Sequence, residues 1–441
     1  MIKEIDILNA LRVIIDPDFK KDIVSLGFVK NIKINGTDVA LDIELTTPAC
    51  PVKEEFRSQA EKILIALPGI RTVKINMTAQ VANQSQPAQS GGQNPLSKVG
   101  AIIAVSSCKG GVGKSTMAGA LAQELAHRGY RVGLLDADIH GPSLPTLFNL
   151  LDTEVMVNKQ NQIFPIEKDG MKMMSFGFLL GDAPAVMRGP IVTRYIQQLL
   201  FGVLWGELDY LFIDMPPGTG DVQLTITQSV KLTGAVIVTT RQSLSLVDVS
   251  RGILMFERVN VPILGIIENM AYFMCDSCDK KHYVFGESRA NSLQERFGIP
   301  TLAEIPLLPR LNQKFDTYLG NAYIQEATDH VIRAIGKSSR EDRSVPGITF
   351  DAKTVTLKWN NGQVWTVKNQ QLRASCQCAL CINEITGAKI IDETKIRPDI
   401  AATQISPLGN YAIGVTWNDG HSSGIYPYLR IEELTKGKVE V

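Results

Sequence analysis

The segment CKGGVGKST at residues 108–116 decides the fold, because it joins the apolar run AIIAVSS at 101–107 to a helical stretch that extends to about Arg128. A glycine-rich loop between a strand and a helix can turn its backbone N–H groups toward a phosphate, and the helix N-terminus adds the positive end of its dipole. Lys114 is placed to contact the β- and γ-phosphates, and the Ser115 hydroxyl to ligate Mg²⁺. The segment therefore predicts a P-loop that binds ATP and Mg²⁺.

Every residue of this loop is a candidate for the nucleotide site. The candidates are Cys108, Lys109, Gly110, Gly111, Val112, Gly113, Lys114, Ser115 and Thr116. Cys108 stands where the usual P-loop pattern has its first glycine, and we expect nucleotide binding to survive this change. Lys109 is a second lysine that the ordinary pattern lacks.

Apolar runs with intervening helical stretches surround the loop. They are RVGLLDAD at 131–138, YLFIDMPP at 210–217, GAVIVTT at 234–240 and PILGIIENM at 262–270. Strands that are apolar throughout and alternate with helices indicate a parallel sheet with helices on both faces. The predicted fold is therefore an α/β P-loop NTPase.

Acidic residues follow two of these strands. Asp136 and Asp138 end one strand and Asp214 ends another, and ligands of open α/β sheets gather at this carboxyl edge. We expect Asp214 to hold Mg²⁺ directly or through water, and Asp138 to orient the attacking water. For Asp136, a cap at the end of its strand is the alternative to a role in the nucleotide site. The segment Gly218-Thr219-Gly220 is expected to form a mobile loop that senses the γ-phosphate.

Length and composition divide the chain into domains. The 441 residues are enough for about three domains. Residues 83–97, NQSQPAQSGGQNPLS, have the composition of a flexible linker, and a second polar break precedes an alternating, strand-like segment. The predicted organisation is a small α/β domain at 1–82, a linker at 83–98, the P-loop domain at 99–336 and a β-rich domain at 345–441.

Charge and hydropathy narrow the classes of partner. Lys plus Arg and Asp plus Glu both total 45, so no bulk positive field attracts nucleic acid or anionic lipid. No apolar run reaches the 18 residues that a membrane span needs, and the N-terminus reads as an amphipathic helix of a folded domain rather than a targeting segment. We therefore expect a cytoplasmic protein with neither nucleic acid nor membrane as a partner.

Five motifs together resemble the Mrp/ApbC family of iron–sulfur cluster carrier ATPases. They are CKGGVGKST, DADIHGPSLP, MRGP at 187–190, DMPPGTGD and IENM, which ends at Met270. The resemblance covers about residues 98–335 and implies that Asn269 recognises the adenine ring and that Cys275 and Cys278 hold the cluster. Lys109 resembles the second lysine of the MinD, ParA and nitrogenase iron-protein class, which reaches the partner subunit's nucleotide. A solvated loop lysine is the alternative.

The flanking domains carry resemblances of their own. The first domain, with LTTPACPVKEEF around Cys50, resembles the small SufT-like domain of iron–sulfur assembly factors. The order of the three domains is similar to that of the plastid scaffold members of the family. No transit peptide is visible and the Cys275-x-x-Cys278 pair is intact, which favours a bacterial protein.

The Cys275-x-x-Cys278 pair supplies two thiolates, whereas a [4Fe–4S] cluster usually takes four. A symmetric homodimer would supply the other two from its second subunit. Zinc bridging the same four sulfurs and a redox-active cysteine pair are the alternatives. His282 lies nearby in sequence, and we expect it to be an ordinary surface histidine rather than a further ligand.

The third domain carries Cys376, Cys378 and Cys381, with His421 as a candidate fourth ligand. The pattern resembles the zinc-binding N-terminal domain of gamma-butyrobetaine hydroxylases, which implies a closed structural Zn²⁺ site. A second cluster site is the alternative. Cys50 lies at an expected helix start, where the helix dipole would favour the thiolate. It is a candidate relay thiol, and an idle thiol is the alternative.

The sequence as a whole predicts an ATP-dependent carrier with slow hydrolysis, which receives a [4Fe–4S] cluster from an upstream scaffold and transfers it to apo iron–sulfur proteins. Three other functions stay open. A positioning ATPase like MinD or ParA would need a membrane-binding tail or a basic surface. An electron carrier like the nitrogenase iron protein would keep its cluster through redox cycles. A zinc-only scaffold would hold no cluster.

Overall fold

The structure is a computed structural model of the chain. It describes residues 2–79, 94–180, 189–218, 220–241, 246–275, 277–278, 280–284, 298–307, 318–340, 346–360, 362–378, 380–382, 388–408 and 412–436. Met187 and Arg188 of the MRGP motif, Thr219, and most of the predicted linker lie outside these ranges. Among the described residues, no helix is both long enough and apolar enough to cross a bilayer.

The N-terminal domain packs two helices on a three-stranded sheet. Its elements are α1 (Glu4–Leu11), β1 (Val29–Asn35), β2 (Asp38–Leu45), α2 (Lys53–Ile65) and β3 (Thr72–Ala79). The central strand β2 pairs antiparallel with β1 and parallel with β3. The alternate β2 residues Val39, Leu41 and Ile43 are buried with Phe56 and Leu64 of α2. One face of the strand therefore packs against one face of the helix.

The central domain is a mixed eight-stranded sheet with its helices on both sides. Its elements are β4 (Val99–Ser106), α3 (Lys114–His127), β5 (Val132–Asp136), α4 (Leu144–Leu147), β6 (Ile166–Lys168), β7 (Met171–Ser175), α5 (Gly177–Leu180), α6 (Gly189–Phe201), β8 (Leu208–Asp214), α7 (Asp221–Ser229), β9 (Gly234–Thr239), α8 (Leu246–Arg258), β10 (Ile263–Glu268), β11 (Phe273–Met274), β12 (Lys281–His282), β13 (Thr301–Glu304) and α9 (Ala322–Arg340). The sheet order is β13-β10-β9-β4-β8-β5-β7-β6, and only β6 runs antiparallel to its neighbour among these strands.

Both faces of this sheet are buried. Ile103 and Val105 of β4 pack into one core with Leu121 of α3 and with α9, whereas Ile102 and Ala104 pack into a second core with α6, α7 and α8. Burial on both faces explains why the strands are apolar throughout rather than alternating. The predicted α/β fold with a helix-covered parallel sheet is therefore confirmed, with β6 as an antiparallel addition at one edge.

The C-terminal domain is β-rich, as predicted. Its elements are β14 (Gly347–Phe350), β15 (Thr354–Lys358), β16 (Val364–Lys368), α10 (Asn369–Ala374), β17 (Ala402–Leu408), β18 (Ala412–Trp417), β19 (Gly424–Pro427) and α11 (Tyr428–Thr435). They form two antiparallel three-stranded sheets. Trp417 and Tyr426 are buried between them, and the Trp417 indole N–H donates to the Tyr426 hydroxyl at 2.9 Å.

Both flanking domains contact the amino edge of the central sheet. The Ala49 N–H donates to the hydroxyl of Tyr210 near the start of β8 (3.1 Å), and the Tyr130 hydroxyl donates to the carbonyl of Pro48 (3.3 Å). On the other side, Trp359 and the C-terminal domain line a cleft with the residues that precede β10 and β13. The carboxyl edge, where the P-loop lies, is therefore clear of these contacts.

Candidate nucleotide and metal sites

The P-loop has the backbone geometry that phosphate binding requires. Gly111 and Gly113 have φ angles of 79° and 82°, a region that favours glycine. A Cβ at Gly110 or Gly111 would meet no atom within 4 Å, so their backbone faces open space. A Cβ at Gly113 would lie 2.3 Å from the Asn269 side-chain nitrogen. The loop thus fits an anion at its glycine face and a protein neighbour at its helix end.

Lys114 and Asp214 form an ion pair at the base of this loop. Both side chains are buried, and the Ser115 hydroxyl hydrogen-bonds to the same carboxylate. Burial raises the pKa of Asp214, and the Lys114 ammonium only partly offsets that effect. The second carboxylate oxygen, Oδ2, is buried without a hydrogen-bond partner among the described residues. A buried, unpaired carboxylate oxygen beside a serine hydroxyl fits Mg²⁺.

The two aspartates after β5 have different environments. Asp136 is fully buried and accepts hydrogen bonds from the Asp138 N–H (3.0 Å), the Ser143 N–H (2.8 Å) and the Ser175 hydroxyl (3.0 Å). Burial, and then the charge of Asp214, raise its pKa to about 7. Asp138 is half-buried, close enough to raise the pKa of Asp214, and its carboxylate accepts the Gly141 N–H at 3.2 Å. Asp136 therefore fixes the loop that carries Asp138.

The segment after β8 is tied to the P-loop. The Gly218 N–H donates to the carbonyl of Ser107 at 3.0 Å, and Gly218 has a φ angle of 91°. The Gln223 amide of α7 donates to the Pro216 carbonyl at 2.5 Å. Thr219, which was expected to take part in γ-phosphate sensing, lies outside the described residues. Hydrogen bonds thus hold the chain on both sides of residue 219.

Asn269 touches the P-loop directly. Its backbone N–H donates to the Thr239 carbonyl (2.7 Å), and its side-chain amide donates to the Val112 carbonyl (2.9 Å). The amide oxygen accepts the Met270 N–H at 3.0 Å, and Met270 has a φ of 51°. The sequence resemblance implied only adenine recognition for Asn269. The motif does not indicate the contact with Val112, because a linear sequence does not show which loop an amide faces.

The Cys275–Cys278 pair lies at the tip of the β11–β12 hairpin, which the Cys275 N–H closes by donating to the Lys280 carbonyl at 3.1 Å. Cys275 is half-buried and Cys278 is exposed. Ligand atoms of Cys275, Cys278 and His282 all lie within 4.8 Å of one another. His282 is exposed, as expected, yet its ring is within reach of both sulfurs. His282 is therefore a surface histidine that also lies beside the cysteine pair.

A charged and aromatic network supports this hairpin. Arg241, which follows β9, pairs with Glu268 (3.3 Å) and Glu304 (2.9 Å), and its guanidinium lies 4.6 Å from the centre of the Tyr283 ring. The rings of Tyr283 and Tyr272 are 5.9 Å apart. The hairpin that carries the two cysteines is therefore held to the ends of three sheet strands.

The C-terminal domain brings Cys376, Cys378, Cys381 and His421 together. The His421 Nε2 lies 3.2, 3.5 and 3.9 Å from their sulfurs in chain order, and the four ligand atoms lie within 4.8 Å of one another. The neighbouring sulfurs and His421 lower the pKa of Cys378, while hydrogen bonding to Cys378 raises the pKa of His421 to about 9. Arg373 donates to the Cys381 sulfur at 3.4 Å. Three sulfurs and one imidazole nitrogen fit a closed tetrahedral Zn²⁺ site.

The two remaining candidate cysteines, Cys50 and Cys108, have different surroundings. Cys50 precedes α2, and burial raises the pKa of its thiol to about 11, with Asp16 and Asp18 adding to the effect. The expected lowering by the helix dipole is therefore wrong, since the thiol is desolvated at a domain interface. Cys108 lies against α8, because a Cβ at Gly252 would be 2.7 Å from its sulfur.

Three family models match successive parts of the chain. Residues 98–338 match the NUBPL iron-transfer P-loop NTPase model, residues 4–77 match an iron–sulfur cluster assembly protein model, and residues 348–431 match the N-terminal gamma-butyrobetaine hydroxylase-like model. The first match covers more than half of the 441 residues. The three resemblances drawn from the motifs are thereby confirmed.

Relatives match over most of the chain. The chloroplastic Fe-S cluster assembly factor HCF101 of Arabidopsis thaliana is 42% identical over 98% of this chain and 83% of its own length. The iron-sulfur cluster carrier protein of Synechocystis is 44% identical over 68% of this chain and 86% of its own. The solved nucleotide-binding protein of Archaeoglobus fulgidus, in complex with ADP, is 40% identical over 56% of this chain and 91% of its own, with a TM-score of 0.44.

Proposed function

This chain belongs to the NUBPL iron-transfer P-loop NTPase family, and on that basis we propose that it is an ATP-dependent carrier of iron–sulfur clusters. One observation supports the proposal above the others. Asn269 donates to the P-loop carbonyl of Val112, and the cysteine-bearing hairpin begins four residues later at Phe273. The nucleotide loop and the proposed cargo site are therefore joined by one short stretch of chain.

ATP would bind with its phosphates on the backbone N–H groups of residues 108–116 and the Lys114 ammonium. Ser115 and Asp214 would hold Mg²⁺, which supplies positive charge to the transferring phosphoryl group. Asp138 would orient the attacking water, and Lys109 would reach the nucleotide of a second subunit. Hydrolysis is expected to be slow, because its role is to change how tightly cargo is held rather than to turn over substrate.

The cargo would bind at Cys275 and Cys278. Two thiolates on an exposed hairpin suit a group that must leave again, whereas a permanent centre is usually enclosed. A symmetric homodimer would bring a second pair of thiolates to one [4Fe–4S] cluster. Upstream scaffolds and apo iron–sulfur proteins are the partners that this role requires.

Adenine recognition by Asn269 fits this coupling. An amide that exchanges the Val112 carbonyl for the adenine ring would move the backbone that leads into the hairpin. Nucleotide binding would then alter the spacing of the two cysteines, and with it the stability of the cluster.

We also propose the remaining features that the sequence predicts: the C-terminal metal ligands, the domain boundaries, a role for Cys50 and the cellular location. The Cys376, Cys378, Cys381 and His421 set would hold structural Zn²⁺, and the domain boundaries stay at 1–82, 99–336 and 345–441. Cys50 stays a candidate relay thiol, although its raised pKa favours an idle one. The relatives include chloroplast and bacterial proteins, so a cytoplasmic location stays a prediction from the sequence.

Anaerobic reconstitution with iron and sulfide tests the proposal. About one [4Fe–4S] cluster per two chains is expected in the wild type, with none in Cys275→Ala/Cys278→Ala while bound zinc is retained. Lys114→Ala should lose ATP binding, and Lys109→Ala should bind ATP but lose hydrolysis by about 100-fold or more.

Transfer to an apo [4Fe–4S] protein completes the experiment, with chelator-treated samples alongside. Ready transfer is the expected result. A cluster that stays on the protein through redox cycles would instead indicate an electron carrier. Zinc in both proteins, and a cluster in neither, would refute the carrier function and leave a zinc-only scaffold.

A further inference from the structure

The β11–β12 hairpin sets which side chains share a face with the cysteines. The Cys275 N–H donates to the Lys280 carbonyl, so these two residues lie opposite each other across the hairpin. The pairs Met274–Lys281 and Phe273–His282 follow. Side chains of opposite residues point to the same side and alternate along a strand. His282, two residues beyond Lys280, therefore lies on the Cys275 face as its diagonal neighbour.

The other face of the hairpin is occupied by the protein body. The Lys281 ammonium lies 4.3 Å from the centre of the Tyr272 ring, and the Tyr272 and Tyr283 rings are in edge contact at 5.9 Å. Tyr272 is itself buried. These contacts fix Lys281 and Tyr283 on one side of the strand, which leaves His282 on the opposite side with the sulfurs.

We propose that His282 is a third protein ligand of the cargo held by Cys275 and Cys278. This inference rests on the proposed carrier function and adds a donor to its cargo site. The imidazole nitrogen and both sulfurs lie within 4.8 Å of one another, so the three donors converge on one small volume at the hairpin tip. Iron and zinc both accept mixed sulfur and imidazole donors.

A third donor changes what a single chain can do. Two thiolates alone leave half of a [4Fe–4S] cluster without protein ligands, whereas a Cys₂His set holds three of its four iron atoms. The fourth iron then stays open to a donor from another protein. In a homodimer, the two hairpins together offer six donors for four irons, so one donor from each chain can be released while the cluster stays bound.

Pulsed electron paramagnetic resonance on the reduced, cluster-loaded full chain tests the assignment. Protein labelled with ¹⁵N-histidine should show a strong nitrogen hyperfine coupling from a ligand directly bound to iron. His282→Ala should abolish that coupling and speed cluster loss to a chelator by about tenfold or more. His127→Ala, at the exposed end of α3, is the matched control and should change neither readout.

Two further variants make the outcome decisive. His282→Cys restores a donor, so it should hold the cluster as firmly as the wild type but without the nitrogen coupling. A coupling that survives His282→Ala and disappears in His421→Ala would place the nitrogen in the C-terminal domain and overturn the assignment. A wild type that binds a cluster with no nitrogen coupling overturns it while leaving the carrier function intact, whereas a wild type with no cluster refutes both.

Discussion

The cysteines of this chain show that surroundings, more than residue type, decide thiol chemistry. Burial at a domain interface raises the pKa of Cys50 to about 11. In the C-terminal domain, neighbouring sulfurs and His421 lower the pKa of Cys378. Cys278 is exposed at a hairpin tip. One thiol is therefore protected from reaction, one is prepared for a metal, and one is accessible to a partner.

Alkylation by iodoacetamide provides the first prediction. At pH 8 the thiol of Cys50 should react far more slowly than that of Cys278, because only the thiolate is nucleophilic. The rate at Cys50 should rise about tenfold per pH unit until pH approaches 11. Mass spectrometry of the alkylated peptides measures both sites in one digest. Rapid labelling of Cys50 at pH 8 would contradict the buried, protonated thiol and revive the relay function.

The same pKa shift has a consequence for stability. Between pH 9 and 11 the unfolded chain loses the Cys50 proton while the folded chain retains it. The free energy of unfolding should therefore fall across this window, and the contribution is fully present only below pH 9. Cys50→Ala should flatten that part of the pH profile.

Individual site residues also show which roles can be predicted from the sequence and which cannot. Lys114, Ser115 and Asp214 were assigned to one site because a loop and a strand end must meet at the carboxyl edge of a parallel sheet, and the structure brings them into contact. The expectation for Cys50 failed because burial of its thiol depends on tertiary packing, which a helix start in the sequence does not show. For His282 the sequence alone favours a surface histidine over a further ligand, because its position beside the two cysteines is set by hairpin register, which a single sequence does not display.

At the scale of elements, the end of β10 links the P-loop to the candidate cluster site on the hairpin. Glu268 pairs with Arg241 beneath the hairpin, Asn269 binds the P-loop, and Met270 takes a positive φ that turns the chain toward Phe273. Glu268 and Asn269 thus contact different neighbours, and Met270 changes the direction of the chain. The two-residue strands β11 and β12 are too short for periodicity to predict, so this link becomes visible only in three dimensions.

Replacing Asn269 tests that link. Asn269→Ala removes the amide donor to Val112, so we expect the cluster to be lost to a chelator at a rate that no longer depends on ATP. Wild-type protein should show at least a several-fold difference with and without ATP. Asn76→Ala, which removes an exposed hydrogen bond to Asp42 in the N-terminal domain, is the matched control and should preserve the ATP response.

The effect of Asn269→Ala on the ATP dependence of cluster loss must be distinguished from a loss of ATP binding. Titration calorimetry should show whether Asn269→Ala still binds ATP at saturating concentration, and the chelator assay is then run at that concentration. An ATP response of wild-type size in the saturated variant would show that the coupling runs through another segment.

At the scale of the whole molecule, the two edges of the central sheet have different roles. The carboxyl edge carries the P-loop, Asp138, Asp214 and the hairpin, whereas the amino edge contacts both flanking domains. The order of the three domains could be predicted from composition and motifs. Their placement could not, because it depends on contacts such as that between Ala49 and Tyr210, which lie 161 positions apart in the chain.

This division predicts that the proposed C-terminal Zn²⁺ site stabilises its own domain without acting on nucleotide binding. Cys376 and Cys381 are buried beside the core that includes Trp417 and Tyr426, so the ligands and the core form together. Binding free energy at such a site contributes directly to folding. Cys376→Ser should therefore lose zinc and lower the unfolding temperature of the C-terminal domain, while the affinity for ATP stays within about twofold of the wild type, since well-separated sites are close to additive.

Differential scanning calorimetry, zinc content and ATP titration on the full chain measure the three quantities together. The Cys275→Ala/Cys278→Ala variant is the control with the opposite pattern, since it should keep zinc and the C-terminal transition but bind no cluster. If Cys376→Ser instead weakens ATP binding by tenfold or more, the C-terminal domain must communicate with the carboxyl edge through the sheet. The cleft between Trp359 and the start of β10 would then be a route of coupling rather than a docking contact.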